Sequence, residues 1–273
     1  MRLRKWLAPL LLLAAGLIAT ACNKQTATPT KANANANPPA SGFNAAASDA
    51  KALALADEVM LKLGGRENWD NTHYVVWRFF GRRLHVWDKW TGNVRVERTD
   101  ETVLMNINTK HGRAWKNGIE VTHPDSLAKS LKGSYEAWVN DSYWVFMPYK
   151  LKDSGVTLKY MGEGKMADST AAEILQLTFE NVGVTPQNKY LVYVDKTTKL
   201  VGHWEYFTNA TDEKPRVSNV WGNWQRYGNI MLSDDRGRGK HTDFAVFETM
   251  PATVFTDPTP VDWQALKAQG QKD

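Results

Sequence analysis

Between residues 73 and 122 the sequence is cut into short apolar runs by turn dipeptides, and that spacing constrains the fold more than any other feature. Runs at 73–80, 84–90, 94–99, 102–108, 112–116 and 119–122 are separated by Gly81, Thr91-Gly92-Asn93, His111-Gly112 and Asn117-Gly118. Links this short join antiparallel neighbours, because a parallel pair needs a crossover of a dozen residues or more. Asn117-Gly118 is the strongest hairpin signal of the set.

A second group of runs follows at 157–162, 172–180, 188–195, 200–207, 215–226 and 241–248, with a hairpin centred on Lys196–Lys199. Helical spacing is confined to three places. Leu53, Ala56, Val59, Met60 and Leu63 recur at helical period over 47–63, with Ser48 as N-cap and Gly64-Gly65 as the stop. Residues 124–147 open on Pro124, carry Leu127, Leu131, Tyr135, Trp138, Val139 and Tyr143, and end at Pro148. They predict one or two helices interrupted at Gly133. A short helix is predicted over 262–268. No repeat of fixed period and no second linker appears, so residues 46–273 form one domain.

Several strands are apolar on both faces. Tyr190, Val192 and Val194 point one way and Leu191 and Tyr193 the other, and both parities of 73–80 hold aromatics or valines. A half-solvated antiparallel sheet alternates apolar with polar, so a two-sided strand needs cover on each face. The fold class is mainly β with helices (α+β): a curved antiparallel sheet wrapping around helices or a cavity, with the helices at 47–63 and 124–147 covering one face.

The N-terminus reads as a targeting segment. Arg2, Arg4 and Lys5 precede an apolar stretch from Trp6 to Ile18. That stretch is too short for a membrane-spanning helix, which needs about 20 residues, and suits a signal peptide over 1–21. Ala19-Thr20-Ala21 leads into Cys22, the only cysteine, and resembles a bacterial lipobox. A lipidated Cys22 makes the membrane a partner, since two or more acyl chains anchor stably. Asn23 favours the outer membrane over inner-membrane retention. Residues 22–45 contain little to bury and are expected to form a disordered tether with a reach of roughly 25–30 Å.

Charge excludes one class of partner. The chain has 34 Lys+Arg against 29 Asp+Glu, but Arg2, Arg4 and Lys5 are the only charges before Cys22. The mature chain therefore carries 31 against 29, net +2, which speaks against nucleic acid. A single cysteine excludes an internal disulfide.

Catalytic and metal motifs are weak. His203-x-Glu205 and His241-x-Asp243 each put two ligand-type side chains on one strand face, with no third partner at a metal-site spacing and no HExxH. Gly239-Lys240 lacks the rest of a phosphate loop, and no GxSxG occurs. No cofactor, metal or enzyme activity is expected; a hydrolase site assembled from distant residues is the remaining catalytic alternative. Twelve tryptophans raise a different rival, a glycan-binding or scaffold protein of the envelope.

From Leu63 to about Phe247 the chain resembles the LolA/LolB-like superfamily, and more closely uncharacterised secreted bacterial proteins of that fold. The resemblance is carried by LGGRENWDN, HVWDKWTGNVRVE, YWVFMPYKLKDSGVTLKYMGE, FENVGVTPQNKYLVYVDKTTKLV and WGNWQRYGNIMLSDDR. It implies a strongly curved, incomplete antiparallel barrel, helices on the concave side, and an apolar cavity for acyl chains. Lipidation makes the chain more like LolB or the mycobacterial lipid-carrying lipoproteins than like the soluble LolA carriers. The expected role is a monomeric lipoprotein, outer-membrane and periplasm-facing, with a lipid or lipoprotein as ligand. Candidate lining residues are Trp77, Phe79, Trp87, Leu104, Tyr190, Val192 and Trp204, with the inward parity left open.

Overall fold

The computed structural model describes residues 36–270; the signal segment 1–21, Cys22 and the tether up to residue 35 lie outside them. The strands are β1 (Tyr74–Phe79), β2 (Arg83–Asp88), β3 (Asn93–Glu97), β4 (Glu101–Asn106), β5 (Gly112–Lys116), β6 (Ile119–Glu120), β7 (Val156–Lys165), β8 (Ala171–Phe179), β9 (Lys189–Asp195), β10 (Val201–Phe207), β11 (Val217–Val220), β12 (Gly222–Tyr227), β13 (Ile230–Asp235) and β14 (Thr242–Phe247). The helices are α1 (Ala50–Lys62), α2 (Arg66–Asn71), α3 (Pro124–Phe146) and α4 (Trp263–Gly270).

One sheet runs β14-β1-β2-β3-β4-β5-β6 and a second runs β11-β10-β9-β8-β7, every pair antiparallel. The β12–β13 hairpin stands between them. Trp221 N donates to Gly202 O at 2.8 Å on the β10 side, and Tyr227 meets Phe244 of β14 on the other. The strands therefore form an open arc whose two ends are β6 and β7, consecutive in sequence and joined by α3. Register shifts in the β1–β14, β7–β8 and β9–β10 pairs add local twist, which bends such a sheet.

The register assigns the faces. Val75, Trp77 and Phe79 of β1 point into the main core with Val192 and Val194 of β9, Trp204 of β10 and the buried stripe of α1. Val94, Val96, Val103, Met105 and Ala114 meet Leu127, Leu131, Tyr135 and Trp138 of α3. The outer face of the first sheet is covered as well. Val76, Leu84, Val86 and Phe247 pack under Val254, Phe255, Val261, Trp263 and Leu266 of the C-terminal segment. Arg95 of β3, fully buried on that face, pairs with Glu97 and holds the segment by its backbone: Nη1 donates to Val254 O (3.1 Å) and Asp257 O (2.7 Å), Nη2 to Pro258 O (3.2 Å) and Thr259 O (2.8 Å).

Local expectations differ from the structure at four points. Residues 36–45, placed in the tether, instead form an arm on the domain. Asn37 is buried, with its Nδ2 2.8 Å from Asp57 Oδ1, and Phe43 packs on the core. Farther along, Asn44 N donates to Val156 O and Asp49 N to Leu158 O, both at 3.0 Å. Ser48 is not the N-cap of α1; Asp49 is, and its carboxylate accepts from Tyr160 N of β7 at 2.9 Å rather than from its own helix. α3 runs unbroken through Gly133 because this turn is clamped: Ser130 Oγ donates to Glu101 at 2.7 Å and Arg98 reaches Ser134 Oγ at 3.0 Å. Such contacts outweigh the roughly 1 kcal/mol that glycine costs a helix. Finally, the run 215–226 is two strands, broken at Trp221 where the chain turns the corner between sheets, and β13 follows them.

The expected turns are present. Asn117-Gly118 (φ 49° and 78°) makes the β5–β6 hairpin. At Gly64, φ is 116° and a Cβ would lie 2.3 Å from Asn229 O, so only glycine ends α1 there.

Candidate functional site

Between α3 and the second sheet lies a cavity of about 620 Å³, within the roughly 300–1,000 Å³ of small-molecule sites. α3 supplies Tyr135, Trp138, Val139, Tyr143 and Trp144 to its wall. Sheet residues Val156, Phe179, Tyr190 and Tyr206 supply the opposite wall, and exposed Gly183, Val184, Thr185 and Arg216 form the rim. Aromatic contacts build the floor. Tyr190 stacks on Trp204 (5.1 Å between centroids, 9° between planes), and Trp204 meets Trp144 (4.8 Å) and Trp221 (5.2 Å) edge-on. Tyr143 lies 5.2 Å from Tyr190 and 6.1 Å from Phe179.

Two charge clusters pin the turn of α3 that faces this cavity. On the side of the first sheet, Asp141 accepts from Arg83 Nε (2.7 Å) and Nη2 (2.9 Å) and from His85 Nε2 (2.7 Å). Burial raises the Asp141 carboxyl, but the hydrogen bonds from His85 and Arg83 outweigh it and hold it below its ordinary value. Burial pulls the His85 imidazole down, against the pull of Asp141. On the other side the buried Arg236 donates to Trp144 O from Nη2 (2.7 Å) and Nε (3.3 Å), and its guanidinium lies 3.8 Å over the ring of Trp221. Burial pushes Arg236 down to about 9. Trp144, near the end of α3, thereby gains a cationic cap where the helix carbonyls are otherwise unpaired.

The structure places the sequence-predicted lining residues as follows. Tyr190 lines the cavity. Trp204 lies behind it and Trp87 behind Trp138, 5.3 Å away. Trp77, Phe79 and Val192 face inward but pack in the solid core, Trp77 stacked on His85 at 4.7 Å. Leu104 points to the outer face, into a separate groove of about 390 Å³ beside Trp115 and Phe255. Its parity on β4 opposes that of Val103 and Met105, which face α3. The main contributors, Tyr135, Trp138 and Tyr143 of α3 and the loop residues Val182, Val184 and Thr185, were not among the candidates. The signal for the helix was its aromatic spacing; the loop carries none.

The motif residues found no ligand geometry. His203 Nε2 lies 2.9 Å from Ser218 Oγ, and buried His241 is enclosed by Phe79, Phe80 and Phe244. Among the described residues no three His, Cys, Asp or Glu side chains are grouped to hold a metal. Trp90 is the one tryptophan among them that is mostly exposed, at 62 %.

Fold and site together define an open half-barrel with a helix across its mouth and an aromatic-lined cavity beneath. No protein-family model matches the sequence, and no curated protein matches it in sequence. Solved structures similar to it include a DUF1329 family protein from Desulfovibrio piger (12 % identity, TM-score 0.40, covering 75 % of this chain and 96 % of that one). A LolA superfamily protein from Nitrosomonas europaea is similar at 11 % identity and TM-score 0.35, over 74 % of this chain and 97 % of its own. MucB is similar at 15 % identity and TM-score 0.26, over 68 % and 66 %. The architecture described above stands independently of them.

Proposed function

We propose that the chain is a binding module of the bacterial cell envelope, anchored through an acylated Cys22 to the periplasmic face of the outer membrane. In this reading it holds an apolar ligand, an acyl chain or the acylated end of a lipoprotein, in the cavity under α3. The observation that carries it is the cavity itself: a wall of aromatic and valine side chains enclosing about 620 Å³. Burying an alkyl chain there stabilises the complex by about 0.8 kcal/mol per CH₂. The two charged side chains of the wall near α3, Lys150 and Asp153, pair with each other. Among the described residues no helix is long and apolar enough to cross a membrane, so in this reading the anchor is the lipid. A glycan site would call for several exposed, coplanar tryptophans, whereas Trp90 is stacked on His73 and stands alone.

Native mass spectrometry of the Cys22→Ala chain, with uptake of a fluorescent fatty acid, tests the reading. Bound lipid or saturable uptake is expected. Val184→Trp at the exposed rim should cut uptake at least about fivefold while changing stability by no more than about 0.5 kcal/mol. Homogeneous lipid-free protein with no uptake would sink the proposal.

A further inference from the structure

The hydroxyl of Tyr143 sets a chemical requirement on the occupant. It is buried in the cavity wall and has no hydrogen-bond partner among the described residues. The indole N–H groups of Trp77, Trp204 and Trp221 are also unpartnered, so a lone indole nitrogen is ordinary in this core and points to nothing. Two other tyrosine hydroxyls of the interior behave differently. The Tyr149 hydroxyl lies 2.9 Å from Leu63 O and 2.8 Å from Met231 O and accepts from Met231 N at 3.0 Å, and Tyr206 reaches Asn188 Oδ1 at 3.4 Å. A buried hydroxyl left unpaired is costly, and a satisfied one is the rule.

Tyr143 is part of the cavity lining, with its ring packed 6.1 Å from Phe179 and 5.2 Å from Tyr190. Its neighbour Asp153 is committed to an ion pair with Lys150. Burial holds the phenol well above its ordinary value, with Tyr190 and Asp153 adding to the shift, so the group remains a neutral donor at any physiological pH. A neutral donor in an apolar wall fits a neutral or singly charged oxygen acceptor on an otherwise apolar molecule. A plain hydrocarbon would leave it unpaired.

We infer that the cavity recognises an alkyl chain through its carboxyl-derived oxygen: the Tyr143 hydroxyl donates a hydrogen bond to the carbonyl or carboxylate of an acyl chain whose methylenes lie among the α3 and β8–β9 aromatics. This rests on the apolar-ligand reading and adds the acceptor. Free fatty acids and acyl esters share this chemistry.

The test uses the full chain carrying Cys22→Ala, loaded with a fluorescent apolar dye and titrated with dodecanoic acid, its methyl ester and dodecane. Tyr143→Phe, which removes one oxygen, should weaken dodecanoic acid, the methyl ester or both by about three- to tenfold and leave dodecane unchanged. Loss for the acid alone identifies a free carboxylate as the ligand group; loss for both identifies the carbonyl. Tyr160→Phe, whose hydroxyl is partnered by Glu173 at 3.4 Å outside the cavity wall, is the control and should shift none of the three by more than about twofold. Equal affinities for all three ligands in wild type and Tyr143→Phe would overturn the inference while leaving an apolar cavity. Equal weakening of dodecane would overturn it too, as a packing effect. Failure of every chain to displace the dye would remove the apolar-ligand reading itself.

Discussion

His85 on β2 donates from Nε2 to Asp141 on α3 at 2.7 Å, and both side chains are fully inaccessible to solvent. With the two Arg83 contacts, this makes Asp141 the acceptor of the charged hydrogen bonds that join the C-terminal part of α3 to the first sheet. Removing one partner of a buried charged cluster leaves the others desolvated and uncompensated. Asp141→Asn should lower stability by about 3 kcal/mol in urea denaturation, with α3 amides losing hydrogen-exchange protection first. Arg83→Met should cost less, because Arg83 is partly exposed and His85 keeps its acceptor.

The buried imidazoles make stability depend on pH in a defined sense. Burial, with Arg236 adding to it, holds His241 down at about 3, against about 6.5 for an unfolded histidine. Asp141 pulls the other way but loses. Below pH 6.5 the unfolded chain binds a proton that the folded one refuses, so stability falls as pH falls from about 6.5 towards 3. His241 alone contributes a slope of about 1.4 kcal/mol per pH unit in that window, and His85, lowered by burial, adds in the same direction. Urea midpoints at pH 7 and pH 5 should differ accordingly. His241→Asn, which does not titrate but keeps an acceptor near Phe80 N, should flatten the difference.

Arg95 predicts a local rather than a global failure. Its guanidinium gathers four backbone carbonyls between Val254 and Thr259 onto the outer face of the first sheet. Arg95→Met should release this segment, cost about 2–4 kcal/mol, and expose Val76, Leu84 and Val86. Limited proteolysis should then cut within residues 250–262 before the rest of the domain, whereas the unaltered chain should resist there.

In the proposed reading the membrane anchor, an acylated Cys22, is separable from the fold. Cys22→Ala should move the protein from the membrane pellet to the soluble fraction without changing its urea midpoint. Protein that still pellets with membranes would show that another element does the anchoring.

The meander was legible because its two-residue turns leave few alternatives, and Asn117-Gly118 carries its own backbone requirement. The inner parity was not, since Trp77 and Val76 are equally apolar and only the covering elements tell them apart. The cover over Val76 is the C-terminal segment, whose apolar residues Val254, Phe255, Val261, Trp263 and Leu266 are scattered among prolines, threonines and aspartates, and which Arg95 also holds by its backbone carbonyls. The break at Trp221 was hidden for a similar reason: WGNW reads as continuous strand, and the corner comes from Arg236 against the indole. The cavity drew one lining residue from the sequence candidates, Tyr190. Its other aromatics lie on α3, where helical spacing suits core packing and a ligand wall equally.

The arm of residues 40–49 occupies the outer hydrogen-bonding side of β7, the terminal strand of the second sheet. An open sheet has a growing end, and a bare β-edge accepts another strand from any chain that offers one. The arm works as a chain terminator for that growth. Proteolysis that removed the arm through Asp49 would leave the cavity walls in place and change the protein's solution behaviour instead, from discrete particles to concentration-dependent fibres.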